Sequence, residues 1–402
     1  MPSLSPNPGG RIDPQDIIGR DDLIAQIWET LEGRSIQATA ERRIGKTCVI
    51  QKMEAEPRPG WRPLLMQLEG CHSADDFVAD LEHRLDEAIT GWQKLVHLVV
   101  KTFRQAPSFE VAGVFKKGEH ELDGWKQRLA KLLVKLSSVS ASERLVFIWD
   151  EFPSMLENIR KRDAREAMEI LDILRHLRSI EGMPRQVLCG SIGLHHVLGK
   201  LKADGYTGAP VNDIETVEIP PLDRAWATEL ALRLLSGERE VSDQNRKVLK
   251  DTAEMIADVC GGFPFYIHHL ALQMTRRATS IEPGFVIEIM KQQMTDPHDP
   301  WHLRHYLERI DWYYGDDAAA VLVMLGDLAA TSEPLPWDWF LKNLSARMAP
   351  KFPSVPEQKA WLLDLLRRLE LDHYVTRLEE GYVFKHRLIK TWWASARGLS
   401  DD

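Results

Sequence analysis

Ala40-Glu41-Arg42-Arg43-Ile44-Gly45-Lys46-Thr47 is the stretch on which the fold turns. Its end matches the pattern G-x-x-x-x-G-K-[ST], in which consecutive backbone N–H groups at a helix start point into one small volume and favour an anion there. Gly45 lets the backbone approach phosphate oxygens with no side chain between. Lys46 supplies a compact positive charge, and the Thr47 hydroxyl is an oxygen ligand of the kind Mg²⁺ takes. Ala40 stands where the pattern has its first glycine. That departure is tolerable if the Ala40 backbone stays at negative φ, because alanine is penalised relative to glycine chiefly at positive φ.

The surroundings give the motif its context. Ser35 to Thr39 is a short strand candidate, and from Lys46 the spacing of Val49, Ile50 and Met53 is helical, so the loop lies between a strand and a helix. Further strands are expected at Pro63 to Leu68, Leu145 to Trp149, Gln186 to Cys189 and Thr216 to Ile219, with helical patterns between them. Such alternation predicts an α/β domain, a parallel sheet with helices on both faces. Asp21 to Glu32 carries Leu23, Ile24, Ile27, Trp28 and Leu31 on one helical stripe, opened by two acidic residues at its positive end. Inside the long excursion from Asp75 to Ser137, Phe109 to Glu121 suggests a small hairpin around Lys116-Lys117-Gly118.

After Leu222 the strand signals stop. We expect residues 1–16 to be a flexible start, 17–222 the α/β domain, 223–300 a helical lid subdomain and 301–402 a winged-helix-like domain. Trp226, Leu230, Leu234 and Leu235 repeat at helical spacing, Gly261-Gly262-Phe263-Pro264-Phe265 interrupts the helices, and Thr295 to Pro300 reads as a linker. The last domain is legible from the helix Glu357 to Leu371 followed by two short strands, Tyr374 to Leu378 and Tyr382 to Phe384, around Glu379-Glu380-Gly381. Of the adjacent Trp392 and Trp393, one is expected to be buried and the other to meet a neighbouring domain or a partner.

Composition sets wide bounds. The 402 residues are 44% hydrophobic and 28% charged, with a net charge of −9. That is an ordinary globular chain with core enough for two or three domains and no overall electrostatic bias toward nucleic acid. Cys48, Cys71, Cys189 and Cys260 form no paired motif and are expected as reduced thiols. No long apolar run indicates a spanning helix and the first ten residues lack a signal-peptide pattern, so a cytoplasmic location without membrane contact is expected.

A second motif follows about a hundred residues after the first: Val146-Phe147-Ile148-Trp149-Asp150-Glu151. Carboxylates at the carboxyl end of an apolar parallel strand lie where α/β domains bind ligands. Asp150 either holds Mg²⁺ or caps the next helix, and Glu151 would orient and deprotonate a water. Ser191 either hydrogen-bonds a γ-phosphate or the water, or bonds its own backbone as a loop serine. Arg42 and Arg43 either reach phosphates or a neighbouring subunit, or form a solvated basic surface. Arg175 and Arg178 are candidates for transition-state stabilisation, with local salt bridges as the alternative.

These residues together resemble the archaeal-type ATPases of the STAND branch of the AAA+ superfamily, relatives of the origin-recognition and Cdc6-type initiators. The resemblance rests on Ile18-Gly19-Arg20, Glu41 to Thr47, Ile148 to Phe152, Gly190-Ser191, Pro221-Leu222, Gly261 to Pro264 and the winged-helix ending, and it covers nearly the whole chain from Ile17. It implies ATP and Mg²⁺ as cofactors, with Thr47 and Asp150 as metal ligands and Glu151, Lys46 and Ser191 in catalysis. Nucleotide contacts would come from Ile18, Gly19, Arg20, Ala40 to Thr47, Cys48 and the lid residue Pro264. The family tends to carry an arginine shortly before its fifth strand; Tyr206 to Asp213 has none. With Ala40, this points to slow turnover.

The expectation is therefore an ATP-binding, slowly hydrolysing molecular switch that couples ATP or ADP to a protein partner or to self-assembly. A DNA-binding ATPase of the initiator or mobile-element type is the alternative. From Phe340 to Asp402 there are 11 Lys or Arg against 8 Asp or Glu, although Glu379 and Glu380 at the hairpin tip would repel phosphate. A non-catalytic nucleotide-binding scaffold is the third reading.

Overall fold

Five strands, all paired in parallel, form one sheet in the order β2-β3-β4-β1-β5. They are β1 (Ile36–Thr39), β2 (Trp61–Gln67), β3 (Arg144–Asp150), β4 (Arg185–Cys189) and β5 (Glu215–Glu218). The computed structural model describes residues 4–90, 124–139, 144–237, 243–277, 281–348 and 351–399. The hairpin expected at Phe109 to Glu121 lies outside them. Each expected strand is present, shifted by no more than two residues at either end.

In β3 every residue after Arg144 is buried. Leu145, Phe147 and Trp149 join a core with the helices on one face, while Val146 and Ile148 point to the other face. A strand covered on both sides must be apolar throughout, which is why Leu145 to Trp149 is a continuous rather than alternating run. Trp149 is the anchor of this layer, stacked between Phe147 and Phe152 with centroids 5.6 Å away on either side and edge-on to Phe77 at 5.7 Å.

The helices of this unit are α1 (Asp21–Gly33), α2 (Lys46–Ala55), α3 (Ala74–Thr90), α4 (Gly124–Val139), α5 (Phe152–Arg162), α6 (Ala164–Ser179) and α7 (Leu194–Ala203). The α/β unit as a whole comprises Asp13–Arg42 and Lys46–Ile219. None of the helices described is long and apolar enough to cross a membrane.

A second compact unit comprises Met1–Ile12, Arg43–Gly45 and Pro220–Asp402. It holds α8 (Arg224–Ser236), α9 (Asp243–Cys260), α10 (Pro264–Arg277), α11 (Gly284–Thr295), α12 (His305–Tyr314), α13 (Ala318–Ala330), α14 (Trp337–Met348), α15 (Val355–Leu371) and α16 (Arg387–Ala396). Its two antiparallel strands are β6 (Val375–Arg377) and β7 (Tyr382–Phe384). The opening residues, read as a flexible start, pack on this unit from Leu4 onward. Leu4 is buried and its N–H donates to the Arg233 carbonyl, while the Asn7 N–H donates to His268 Nδ1 at 3.1 Å.

α15 starts two residues before the expected Glu357. Ser354 and Glu357 form a reciprocal capping box, and Pro356 occupies the first turn, where no N–H is needed. Trp392 and Trp393, of which one was expected to be buried and the other to meet a neighbouring domain or a partner, are both buried within the chain. They meet edge to face at 5.9 Å, and Trp393 also packs on Tyr374 and Phe384 of the hairpin region.

Candidate functional site

The strand order brings three loops to one edge. β1 and β3 flank β4 and all three are parallel, so the segments after Thr39, Asp150 and Cys189 leave the sheet side by side at its carboxyl edge. Those are the segments that carry Lys46, Glu151 and Ser191.

Lys46 is the first residue of α2, and its ammonium donates to the Gly190 carbonyl after β4. Beside it, Thr47 Oγ1 lies 3.2 Å from Asp150 Oδ2. Asp150 is 2% exposed, and it accepts further hydrogen bonds from Gln67 Nε2 at 3.4 Å and from the Glu151 N–H at 3.1 Å. A hydroxyl and a buried carboxylate in contact are a hard-oxygen donor pair, which fits Mg²⁺ better than a soft metal.

Glu151 caps α5 from the left-handed region, with φ 58° and ψ 29°, and makes no side-chain bond to the helix backbone. Its carboxylate accepts instead from the Ser191 N–H at 3.0 Å, Ser191 Oγ at 2.7 Å and Ser154 Oγ at 2.9 Å. Burial alone would raise its pKa. The Lys46 charge and the serine hydrogen bonds outweigh burial and hold the carboxyl below the usual range, so the group is a carboxylate at neutral pH. A non-glycine residue at positive φ is strained, and such strain persists where surrounding contacts over-determine it.

Gly190 is required by packing. A Cβ there would lie 2.4 Å from Pro153 Cδ, so any side chain would push β4 away from the start of α5 and spread Glu151 from Ser191. Gly45 sits at φ 92°, a conformation that side chains oppose. Ala40 is absent from the positive-φ residues, so its methyl group introduces no backbone strain where the pattern has glycine.

Ile18, Gly19 and Arg20 lie between two residues, Ile17 and Asp21, that are tied to α2 of the same unit. Lys52 Nζ on α2 donates to the Ile17 carbonyl and pairs with Asp21, both at 2.9 Å. Arg20 is buried, which lowers its pKa to about 10, and its charge acts on Cys48. Glu41 is buried and accepts the Arg42 N–H at 2.7 Å. Arg43, Ile44 and Gly45 cluster with the second unit, where the Arg43 guanidinium lies 4.1 Å from the Phe265 ring centroid. Arg43 is thus a cation held on an aromatic face rather than a solvated basic residue. Pro264 is the first residue of α10 in that unit.

Arg178 is a structural group. It donates to both Asp213 oxygens, to Gln186 Oε1 and to the Pro210 carbonyl, so the salt-bridge reading replaces transition-state stabilisation. Arg175 contributes charge to the same Asp213. The sequence reading missed Ser154, Gln67 and the Gly190 carbonyl. Only Ser154 had a local signal, a residue with a hydroxyl three positions after Glu151 at a helix start, the capping-box spacing with its two partners exchanged.

No protein-family profile matches the chain, and no curated protein matches it. Solved structures do. The Walker-type ATPase PABY2304 of Pyrococcus abyssi aligns over 94% of this chain and 96% of its own, with a TM-score of 0.60 and 14% identity. The Aeropyrum pernix ORC2 protein in its ADP form aligns over 98% and 97% with a TM-score of 0.47 and 14% identity. The Aeropyrum pernix ORC1 protein, solved in complex with DNA, gives 0.37 and 12% identity over 95% and 94%. At 14% identity the likeness to PABY2304 concerns the fold alone, and with the five-stranded parallel sheet it gives the chain the α/β P-loop fold.

Proposed function

We propose that this protein is a Mg²⁺-dependent ATP-binding switch that hydrolyses its nucleotide slowly. One observation carries the reading: Lys46, the Thr47–Asp150 pair and the Glu151–Ser191 pair converge at one edge of a parallel sheet. Fold likeness to a Walker-type ATPase supports it.

Each side chain has a distinct task. Lys46 exchanges its Gly190 carbonyl partner for phosphate oxygens, which an ammonium at a helix N-terminus binds strongly. Thr47 and Asp150 would hold Mg²⁺, which when bound neutralises charge on the β and γ oxygens. Glu151, a carboxylate by virtue of its neighbours, accepts the proton of the attacking water. The Ser191 hydroxyl bonds Glu151 in the absence of nucleotide and a γ-phosphate in its presence, which gives differential contact with ATP and ADP. The unstrained Ala40 removes one reason for slow turnover, and the lack of an arginine in Tyr206 to Asp213 becomes the main one.

We read α13, α14, α15 and the β6–β7 hairpin as a winged helix, with the Leu335–Tyr382 bridge as its third strand position. Its basic residues favour a protein partner or a second copy over DNA. Arg367 bonds Asp364 at 3.0 Å, Arg368 bonds Asp317 at 2.6 Å, and Lys385 meets His373 Nδ1 at 2.9 Å. Cations already paired within the chain release fewer counterions on binding phosphate. The ADP, ATP and DNA dependence of molecular mass, read by light scattering, separates self-assembly from DNA recruitment. Lys46→Ala is expected to lose ATP binding in equilibrium titration, and unchanged affinity would refute the site.

A further inference from the structure

The carboxylate of Glu151 is held by two serines that differ in kind. Ser191 reaches it from the exposed segment after β4, forty residues along the chain, with both its N–H and its hydroxyl. Ser154 reaches it from one turn along the same helix, with a hydroxyl on Oε2 at 2.9 Å. Both hydroxyls converge on Oε2, so Oε1 keeps only the shared Ser191 N–H and is the oxygen with lone pairs to spare.

We propose that Ser154 is a positioning residue: it is the fixed arm that keeps the Glu151 carboxylate aimed when the exchangeable arm, the Ser191 hydroxyl, leaves for nucleotide. Chain geometry makes the difference. The Ser154 side chain is one helical turn from Glu151, and the start of α5 is clamped to the sheet where the buried Phe152 ring stacks on Trp149 of β3. Its separation from Glu151 therefore changes little when the loop after β4 moves. Glu151 also caps α5 without bonding the helix backbone, so without Ser154 its side chain would have no anchor on its own element. An unanchored carboxylate samples other rotamers, and misplacement of a base by about 1 Å lowers turnover on the order of a hundredfold.

This inference rests on the ATPase reading, and its test separates the two. Full-length protein with Mg²⁺ and ATP is compared with Ser154→Ala and Ser154→Thr. We expect Ser154→Ala to lower kcat by roughly ten- to a hundredfold while KM for ATP and the affinity for a fluorescent ADP analogue stay within twofold of wild type. Ser154→Thr, which keeps the hydroxyl, restores kcat. Amide hydrogen exchange supplies a readout independent of turnover: in Ser154→Ala without nucleotide, the Ser191 amide, which donates to the same carboxylate, loses protection. A purely helix-starting role would instead lower Tm and the protection of α5 amides with kcat unchanged, and that result overturns the proposal. So does a threonine variant as slow as the alanine one. If the wild-type protein binds nucleotide but releases no phosphate above the Glu151→Gln background, both this inference and hydrolysis fall, while the binding site stands. Loss of the binding site itself would show only as absent ADP-analogue affinity in the wild type.

Discussion

Two regions of the molecule hold buried or half-buried charge, and they treat it in opposite ways. At the sheet edge, Lys46 and Glu151 are partly exposed, and each has one partner, the Gly190 carbonyl or the Ser191 hydroxyl, that can be exchanged for a ligand. In the C-terminal half, Arg309 is enclosed by the rings of Tyr306, Tyr313 and Tyr374 at 4.8, 5.7 and 4.4 Å, and donates to Tyr374 Oη and the Asp372 carbonyl. Asp372 in turn accepts from Tyr314 Oη at 2.5 Å. These partners are tyrosine rings and hydroxyls and a backbone carbonyl, all packed within one unit. Buried charge alone is thus no sign of function; the sign is a partner that a ligand could replace.

The comparison can be broken most decisively at Glu151. Glu151→Gln keeps the shape and removes the base, and should lower phosphate release by roughly 10² to 10⁴-fold with ATP affinity retained. Equal loss of binding and turnover would mean that Glu151 is as structural as Asp372. Arg309→Leu tests the other side: it strands Tyr374 and the Asp372 carbonyl, and should destabilise the second unit by about 3 kcal/mol in denaturant titration, without altering nucleotide affinity.

Acid should separate the two units next. Burial lowers His268 and His269 to a pKa of about 4 and His386 to about 3. All three lie in the second unit. Because their folded pKa values are below the unfolded value, the stability they permit is fully present above about pH 6.5 and is lost progressively as pH falls toward 4. Calorimetry from pH 7 to 4.5 should show a transition of that unit moving to lower temperature first, and parallel movement of both transitions would remove the histidines as the cause.

Smaller effects sharpen the same contrast. Gly190→Ala should cost about 1–3 kcal/mol through its clash with Pro153 and disturb the Glu151–Ser191 pair, so turnover should fall with stability. Ser354→Ala removes one capping box and should cost about 1 kcal/mol, seen as a small Tm shift with ATP turnover untouched.

The parts of the fold readable in advance were those in which one segment decides its own state. The five strands appeared because short extended runs between helical patterns have few alternatives; the expected start of α15 falls two residues late because it leaves out the Ser354–Glu357 capping box. The double burial of Trp392 and Trp393 was not legible: whether a helix has one buried face or two depends on the hairpin and helices that surround it. For Arg178 the sequence left a salt bridge and a catalytic role both open, and the fold decided for the salt bridge by bringing Asp213, Gln186 and the Pro210 carbonyl, all later in the chain, to its guanidinium.

By itself the sequence determined that a strand, a phosphate loop and a helix follow one another at Ala40 to Thr47, and that Asp150-Glu151 ends an apolar strand, since both are consequences of local pattern. Only tertiary structure decided that β4 runs between β1 and β3, and so which residues share the edge. It also decided that Ala40 carries no strain and that Glu151 is held by Ser154 and Ser191 together. The reason is physical: backbone preference acts over a few residues, whereas a hydrogen-bonded carboxylate is oriented by whatever the packed sheet brings within 3 Å of it.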